Sequence, residues 1–468
     1  MNIVNSTIAA ISTAKGNAAI AIIRISGRYA EKIADSIIKT KSGKKLQEIE
    51  NYKITLGKIV KYKNSQVCID EVLFWIARSP NSYTGENFVE INCHGGFFVT
   101  QLILDELIKA GAVLANPGEF TRRAFMNGKL DLTQAESVIQ IINSESRLYL
   151  ENSVKCLNGE LSEKINYLKN FFISIASRIS ASNDFPDEIE EIDIKSLYPE
   201  IDEKKKEIEK IVDSYENGVK LEKGIKVSII GKPNVGKSSI LNAFVGFERS
   251  IVTDVEGTTR DVVEEETNVD GLIIKVYDTA GIHESLNKIE KIGIKYSIEN
   301  IKSCDVVLFV LNANSFLTKE DIAIFEIINL YKKHIIFIIN KIDLREPKVD
   351  ILIKTFNLSI KEDVVLVSTP QNEKNIGIDE LKKKIYKKVI NDNINTNELY
   401  ITNARQKECL NKTLDSIEKI LFGIQNNISH DILCFEIEEI SKSIENVLGT
   451  NIQEEIIESI FSNFCVGK

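Results

Sequence analysis

The sequence contains no pair of cysteines at a spacing typical of metal or redox sites. Its seven cysteines are scattered, and none belongs to a C-x-x-C pair: Cys68, Cys93, Cys156, Cys304, Cys409, Cys434 and Cys465. A disulfide framework or a zinc site would need a closer, patterned spacing. The cysteine usage therefore indicates a protein of the reducing cytosol.

The chain also lacks an excess of positive charge. It has 59 Lys and Arg residues against 68 Asp and Glu residues, a net charge of -9 and a pI of about 5.4. Such a chain has no overall basic field for nucleic acid. Any contact with RNA must then be local, or be made by a partner protein.

Long apolar runs are missing as well. The most apolar stretches, Val306–Leu311 and Ile335–Ile339, are far too short to cross a bilayer. The first residues, Met1–Ser6, lack the basic-then-apolar order of a signal peptide. We expect a cytoplasmic protein that does not contact a membrane.

The 468 residues allow roughly three domains. Residues 1–118 alternate strand-like and helix-like runs, which predicts an α+β domain with helices on one mixed sheet. Residues 119–216 and 391–468 are helical in pattern. Residues 217–390 have continuous apolar strands typical of a parallel α/β sheet. The sequence therefore predicts a multidomain α+β and α/β protein, with an α/β domain inserted into one helical domain.

One apolar stripe stands out in the first helical segment. Its residues step by three and four positions, which predicts a single helical face that packs on another helix. The members are Val154, Leu157, Leu161, Ile165, Leu168, Phe172, Ile175 and Ile179.

A phosphate-binding loop lies near the middle of the chain. Residues Gly231–Ser239 match the pattern G-x-x-x-x-G-K-[ST], between the strand predicted at Ile225–Ile230 and a helix predicted at Ser238–Val245. Backbone N–H groups and the helix N-terminus favour an oxyanion there. Lys237 is expected to reach the outer phosphates, and Ser238 to bind Mg²⁺.

A second motif selects guanine. Asn340-Lys341-Ile342-Asp343 follows the apolar strand that ends at Ile339. The Asp343 carboxylate can accept hydrogen bonds from the ring N–H and the amino group of guanine, a pairing that adenine cannot make. Ser368-Thr369, after another strand, takes a base-contacting position. The insert is thus predicted to be a P-loop GTPase domain.

The hydrolysis centre departs from that of Ras-like proteins. Asp278-Thr279-Ala280-Gly281 is predicted to act near Mg²⁺ and the γ-phosphate, and Thr259 to ligate Mg²⁺. The next residue is Ile282, where Ras-like proteins have a water-orienting glutamine. Another residue, or a partner, must then orient the water.

These motifs resemble those of the MnmE (TrmE) family of translation-factor-related GTPases. The resemblance implies that K⁺ takes the place of an arginine finger and that Glu290 positions the water; from the residues alone, Glu290 reads as a solvated glutamate at a helix start. His283 stands where family members often have Arg, so this chain departs from the pattern there. The implied K⁺ ligands are Asn234, Thr253, Val255 and Thr258.

The implied GTP-binding set combines the phosphate loop, the segment Thr253–Thr259, Asp278–Gly281, the N-K-x-D motif and Ser368, and the implied catalytic residues are Lys237 and Glu290. Its members are Asn234, Val235, Gly236, Lys237, Ser238, Ser239, Thr253, Asp254, Val255, Glu256, Gly257, Thr258, Thr259, Asp278, Thr279, Ala280, Gly281, Asn340, Lys341, Asp343 and Ser368.

The resemblance extends along the chain. Ser82-Tyr83-Thr84-Gly85-Glu86, Pro117–Phe125 and the ending Phe-Cys-Val-Gly-Lys all match the family. It implies an N-terminal domain that dimerises and binds a tetrahydrofolate derivative, 5,10-methylene or 5-formyl. The implied folate contacts are Arg24, Glu90, Lys129 and Lys468.

Simpler interpretations exist for these residues. Arg24 and Glu90 could form a surface ion pair at a strand edge, and the last residues could be a frayed terminus. His94, beside Cys93, is more easily a turn histidine than a metal ligand, because no partner ligands follow. Cys465 is expected to have a positional role, since only Lys468 could activate its thiol.

The function that the resemblance implies is GTP hydrolysis coupled to tRNA modification. With an MnmG-type FAD-dependent partner, in a heterotetramer or larger complex, a homodimer would add a carboxymethylaminomethyl or aminomethyl group to carbon 5 of the wobble uridine. Methylene-tetrahydrofolate would supply the carbon, with GTP, Mg²⁺ and K⁺ as cofactors. The alternatives are a GTP-dependent ribosome-assembly factor and a folate-dependent transferase that the GTPase regulates.

Overall fold

The computed structural model describes residues 6–185, 193–246, 264–278, 301–315, 317–331, 333–344, 349–356, 363–370, 374–390, 398–426 and 428–468. The chain forms two compact units. The first contains Met1–Ile142, Lys155–Lys205 and Glu408–Lys468, and the second contains Asn143–Val154 and Lys206–Lys407.

The strands are β1 (Ile8–Ile11), β2 (Ile20–Ser26), β3 (Ile38–Thr40), β4 (Thr55–Lys61), β5 (Asn64–Ala77), β6 (Phe88–His94), β7 (Val113–Leu114), β8 (Ile225–Ile230), β9 (Glu264–Val269), β10 (Leu272–Asp278), β11 (Val306–Asn312), β12 (His334–Asn340) and β13 (Val364–Val367).

The α-helices are α1 (Ala30–Ile37), α2 (Phe97–Lys109), α3 (Glu119–Met126), α4 (Leu132–Ile142), α5 (Arg147–Leu157), α6 (Glu160–Asp184), α7 (Tyr198–Lys223), α8 (Lys237–Val245), α9 (Lys319–Leu330), α10 (Val349–Phe356), α11 (Ile378–Ile390), α12 (Ala404–Gln425), α13 (His430–Leu448) and α14 (Glu454–Ser462). Leu46–Glu48 and Ile194–Leu197 are short 3₁₀-helices.

The N-terminal part of the first unit is the predicted α+β domain on a mixed sheet. The strand order among the described residues is β3-β4-β5-β6-β2-β1-β7, antiparallel except for the β1–β7 pair. One face of the sheet packs on α1 and α2, and its core includes Ile23, Phe74, Ile91 and Leu107. Because side chains alternate along a strand, the residues between these core positions lie on the opposite face.

The helices α5 and α6 correct one prediction. The apolar stripe was expected to be one continuous face, but α5 and α6 are separate helices, and Gly159 between them has a φ of 94°. Val154 on α5 is 39% exposed, whereas the residues of the stripe that lie on α6, from Leu161 to Ile179, are buried. The three-and-four spacing continues through the turn by coincidence, so it could not reveal the break.

The two helical stretches of the first unit pack together although they are distant in sequence. α6 lies against α13, and Lys169 on α6 forms an ion pair with Glu445 on α13 at 2.7 Å. The predicted α/β domain is thus inserted, in sequence, between helices that belong to one unit.

The second unit contains the predicted parallel sheet. Its order is β13-β12-β11-β8-β10-β9, with β9 antiparallel to its neighbour. Cores form on both faces: Ile240 of α8 packs on one, and Ile328 of α9 on the other. Burial on both faces explains why these strands read as unbroken apolar runs.

Candidate functional sites

The nucleotide motifs meet at one edge of the second unit's sheet. β8, β10, β11, β12 and β13 are parallel, so their carboxyl ends share this edge. The phosphate loop follows β8, Asp278 ends β10, Asn340 ends β12 and Ser368 follows β13. Ligands of open α/β sheets bind at such an edge.

The phosphate loop has the geometry of an anion-binding turn. Gly236, with a φ of 98°, precedes α8, and Asn234 also has a positive φ of 64°. Lys237 Nζ donates to the carbonyl oxygens of Gly231 and Lys232, at 2.8 Å each. These bonds hold the ammonium beside the loop and the helix N-terminus, where phosphate is favoured.

The N-K-x-D motif is bonded directly to the phosphate loop. Asn340 Nδ2 donates to the Val235 carbonyl at 2.9 Å, and Lys341 Nζ donates to the Asn234 carbonyl at 3.0 Å. Asn340 is buried, and its Oδ1 has no hydrogen-bond partner among the described residues. A buried acceptor of this kind normally has a partner, so the site fits a ligand that brings a donor.

The predicted base-contacting residues are also together. The buried Ser368 donates from Oγ to Asp343 Oδ1 at 2.5 Å. Backbone bonds in both directions between Ser368 and Ile376 fix the loop that carries the serine. The Asp343 carboxylate is therefore oriented from the side of β13, as a guanine site requires.

The metal predictions fall mostly on residues outside the described ranges. Ser238 lies exposed in the first turn of α8, and Asp278 ends β10, although its side chain is not described. The other residues of the predicted hydrolysis centre lie outside the described residues. They are Thr253, Asp254, Val255, Glu256, Gly257, Thr258, Thr259, Thr279, Ala280, Gly281, Ile282, His283 and Glu290.

The sequence did not reveal one ion pair of the phosphate loop. Lys232 Nζ bonds Asp321 Oδ2 and Thr318 Oγ1, at 2.8 Å each. Thr318 and Asp321 form the capping box of α9. Thr-x-x-Asp before an apolar run is the signal for such a cap, but it does not identify Lys232 as the partner.

A second site lies on the sheet face of the first unit that faces away from α1 and α2. Arg24 on β2 and Trp75 on β5 are the cross-strand partners of Glu90 on β6. Arg24 Nε donates to Glu90 Oε2 at 2.9 Å. The ion pair that could be expected at a strand edge exists, but it lies in the middle of the sheet and is largely buried.

The C-terminal residues are packed into this site. Phe464 is buried, and Val466 forms a bridge with Pro117. The Gly467 carbonyl accepts from Ser12 Oγ at 2.9 Å and from Arg24 Nη1 at 3.5 Å. The frayed terminus that the sequence allowed is therefore wrong.

The packed tail brings a second cation to Arg24. Burial lowers the pKa of Lys468, and the nearby Arg24 guanidinium lowers it further, against the opposing effects of Cys465 and Glu90. Two cationic side chains, Arg24 and Lys468, thus lie near the Glu90 carboxylate. Either can donate to an oxygen of a polar or anionic ligand.

Lys129, the fourth predicted folate contact, is less closely connected. It is exposed after α3, and a Cβ on Gly85 would lie 3.4 Å from its Cγ. Burial raises the pKa of Tyr83 in the same loop, against the hydrogen bond from Thr121 and the charge of Arg24. Within the described residues, no contact joins Lys129 to Arg24.

The histidine and cysteine candidates have ordinary surroundings. His94 bonds Asp70 through Nδ1 at 2.6 Å, at the end of β6. Burial raises the pKa of Cys156 to about 12, so that thiol is inert. Cys465 is exposed, and its carbonyl accepts from the backbone of Gly118, a positional role.

The described residues contain neither a cluster of metal-ligating side chains nor a membrane-spanning helix. Nowhere in the described part of the chain do three or more His, Cys, Asp or Glu residues cluster as metal ligands. No helix within those residues is long and apolar enough to span a membrane.

The comparisons with known proteins identify the family. The family model described as the MnmE helical domain matches residues 132–465, and the one described as the N-terminus of the GTP-binding protein TrmE matches residues 7–129. The tRNA modification GTPase MnmE of Clostridioides difficile is 40% identical over 99% of this chain and 100% of the relative. That of Thermoanaerobacter pseudethanolicus is 41% identical over 99% of each chain.

Solved structures are similar over a smaller part. The G domain of the FeoB iron transporter of T. maritima is 28% identical and covers 35% of this chain and 97% of that chain, with a TM-score of 0.26. The full-length relatives and the two family models, together with the joined nucleotide motifs, lead to one conclusion: this chain belongs to the MnmE family of tRNA modification GTPases.

Proposed function

We propose that this GTPase modifies carbon 5 of the wobble uridine in certain tRNAs, together with an MnmG-type FAD-dependent partner. The added group is carboxymethylaminomethyl or aminomethyl, and its carbon comes from methylene-tetrahydrofolate. The observation that carries the proposal is the convergence of Arg24, Glu90 and Lys468 in one site. A ribosome-assembly GTPase has no use for such a site.

The chemistry of that site suits a folate. The cations Arg24 and Lys468, which lie beside Glu90, can donate to the carbonyl oxygen of a pterin. A carboxylate such as Glu90 can accept paired hydrogen bonds from the amino group and ring N–H of a pterin. Lys129 is proposed as a further cation at the exposed end of the ligand.

For the nucleotide, each described residue has a distinct role. Lys237 donates to the outer phosphates, and Asp343, oriented by Ser368, binds the guanine edge. Asn340 and Lys341 hold the phosphate loop to the base site. Ser238 supplies a hydroxyl oxygen, a ligand type that Mg²⁺ prefers.

The hydrolysis centre is proposed to use K⁺ in place of an arginine finger. The ligands would be the oxygens of Asn234, Thr253, Val255 and Thr258, a donor set suited to a hard cation. A bound K⁺ supplies positive charge near the transferred phosphoryl group. Glu290 is proposed to orient the attacking water.

The K⁺ proposal is tested by measuring GTP hydrolysis in KCl and in NaCl of equal ionic strength. We expect hydrolysis to be fast in KCl and slow in NaCl, and Glu290→Ala to be slow in both. Equal rates of the parent protein in the two salts would refute the role of K⁺.

The folate proposal is tested by isothermal titration with 5-formyl-tetrahydrofolate. We expect binding to the parent protein and a large loss in Arg24→Ala, because that variant removes the cation and leaves Glu90 unpaired. Absence of binding to the parent protein would favour the ribosome-assembly alternative.

The oligomeric state and the domain bounds are also proposed. We propose a cytoplasmic homodimer, joined through the N-terminal domain, that forms a heterotetramer or larger complex with the partner. The proposed domains are 1–118 for folate binding, 119–216 and 391–468 for the helical domain, and 217–390 for the GTPase. Light scattering with and without the partner tests the assembly.

A further inference from the structure

The chain's single tryptophan lies beside the proposed folate site. Trp75 on β5, Glu90 on β6 and Arg24 on β2 are direct cross-strand neighbours, so they form one lateral row on three adjacent strands. All three lie on the same face of the sheet, since their neighbours Phe74, Ile91 and Ile23 belong to the opposite core.

The two outer members of the row hold the middle one from opposite sides. Trp75 Nε1 donates to Glu90 Oε1 at 3.0 Å, while Arg24 Nε donates to Glu90 Oε2 at 2.9 Å. Each carboxylate oxygen therefore has its own donor. The side-chain torsions of Glu90 and the plane of its carboxylate are fixed by these two bonds.

The indole is itself held in place. Its ring stacks on Tyr52 with centroids 5.7 Å apart and also lies 5.7 Å from Phe88. Phe88 in turn contacts Phe120 edge to face at 6.2 Å. An aromatic ring pinned by such neighbours keeps its N–H in one direction.

We infer that Trp75 is a positioning residue for Glu90. An ionised carboxylate has about four acceptor sites, and the bonds from Trp75 and Arg24 use one on each oxygen. The sites that remain point in a fixed direction and can accept two neighbouring N–H donors of a ligand. The inference rests on the proposed folate function, with the amino and ring N–H groups of a pterin as those donors.

The test is isothermal titration of the full-length protein with 5-formyl-tetrahydrofolate. Trp75→Phe keeps an aromatic ring but removes the N–H, and we expect about tenfold weaker binding, the lower range for a hydrogen bond to a charged group. Tyr29→Phe removes a polar group from an exposed aromatic side chain of the same domain and is expected to bind within about twofold of the parent.

A double-mutant cycle distinguishes positioning from general packing. If Trp75 acts through Glu90, adding Trp75→Phe to Glu90→Gln should weaken binding by far less than Trp75→Phe does alone. An equal loss in both backgrounds would contradict the inference, because the tryptophan would then act independently of the carboxylate.

Tryptophan fluorescence of the parent protein is a measurement that needs no substitution. Since Trp75 is the only tryptophan, its emission should change on addition of 5-formyl-tetrahydrofolate and saturate with the affinity from titration. If the calorimeter shows binding but the emission does not change, the positioning role of Trp75 is wrong. The same holds if Trp75→Phe binds as tightly as the parent, and in both cases the folate proposal itself still stands. No binding to the parent protein would overturn the folate proposal itself.

Discussion

At the scale of the residue, Gly236 decides how closely the phosphate loop approaches the N-K-x-D motif. Its φ is 98°, and a Cβ there would lie 2.2 Å from Asn340 Nδ2. Gly246, at the other end of α8, also has a positive φ of 58°, but the nearest atom to its Cβ would be 3.9 Å away. Both glycines have a positive φ, but only at Gly236 would a Cβ meet a neighbouring side chain at close range.

This difference gives a matched pair of substitutions. Gly236→Ala should lose about 1–2 kcal/mol from the left-handed backbone, and Gly246→Ala, at a ψ of -159° that almost only glycine adopts, should lose about 1–3 kcal/mol. Only Gly236→Ala should also lose GTP binding, because Asn340 must move. Thermal unfolding and titration with a fluorescent GDP analogue measure the two effects. Equal GDP affinity in the two variants would contradict the close approach.

Ser368 is expected to act on the base through Asp343. Ser368→Ala removes the bond to the carboxylate and should weaken GDP binding about tenfold, the lower range for a hydrogen bond to a charged group. Thr369→Ala, the adjacent substitution, should leave affinity unchanged or slightly improved. Competition with GDP and ADP reports the loss of selectivity. Undiminished affinity in Ser368→Ala would show that Asp343 does not depend on the serine.

Lys468 is expected to give the proposed folate site a pH dependence. Its pKa in the folded protein is lowered, chiefly by burial, so it loses its proton below the ordinary lysine value of 10.5. Affinity for an anionic folate should fall as the pH rises through that lowered pKa. The unfolded chain keeps this proton to higher pH, so stability should rise slightly over the same window. In Lys468→Met, titration across this range should give a flatter profile; an unchanged profile would exclude Lys468.

At the scale of the element, an ion pair holds the phosphate loop against α9. The Asp321 carboxylate is almost completely buried and bonds Lys232, while the Lys232 carbonyl accepts from Lys237. The ion pair thus connects the cap of α9 to Lys237, the lysine that is expected to bind the phosphates.

Removing the ion pair should affect both the stability of the protein and its binding of GTP. Lys232→Met leaves a buried carboxylate without its cation, which should cost about 3 kcal/mol and weaken GTP binding. Lys319→Met, on the first and exposed turn of the same helix, should change neither. Urea unfolding of both variants measures the difference. If both unfold at the same urea concentration, the ion pair does not stabilise the loop.

Three strands of the second unit's sheet could be predicted to within one residue at each end, whereas β9 at the edge of the sheet was not predicted. Ile225–Ile230 has the predicted bounds, and the apolar runs Val306–Leu311 and Ile335–Ile339 fall within β11 and β12, because strands buried on both faces leave unbroken apolar runs. The break at Gly159 could not be predicted, since periodicity is blind to a turn that preserves the spacing. The bond from Lys232 to Asp321 was equally hidden, because it joins loops that only the folded sheet brings together.

The proposed folate site shows the same limit. Its residues could be named from the family motifs, but the Arg24–Glu90 contact depends on β2 lying next to β6. Strand order is set by tertiary packing and is not written in local sequence. Trp75 belongs to no motif, so only the cross-strand register reveals it.

At the scale of the whole molecule, the two sites belong to different units. Arg24, Glu90 and Lys468 lie in the first unit, and Lys237 and Asp343 lie in the second. The N- and C-terminal segments are joined within the first unit, where the tail completes the site on the sheet. We propose that the nucleotide site acts as a switch and that the one-carbon chemistry occurs at the site of the first unit.

We propose that this GTPase modifies the wobble uridine of tRNA. The most direct test is nucleoside analysis of tRNA from a strain that lacks the gene, with the gene restored as the parent, Arg24→Ala or Asp343→Ala form. We predict that the carbon-5 modification disappears in the deletion strain, returns with the parent gene and does not return with either variant. An unchanged set of tRNA nucleosides in the deletion strain would contradict the account.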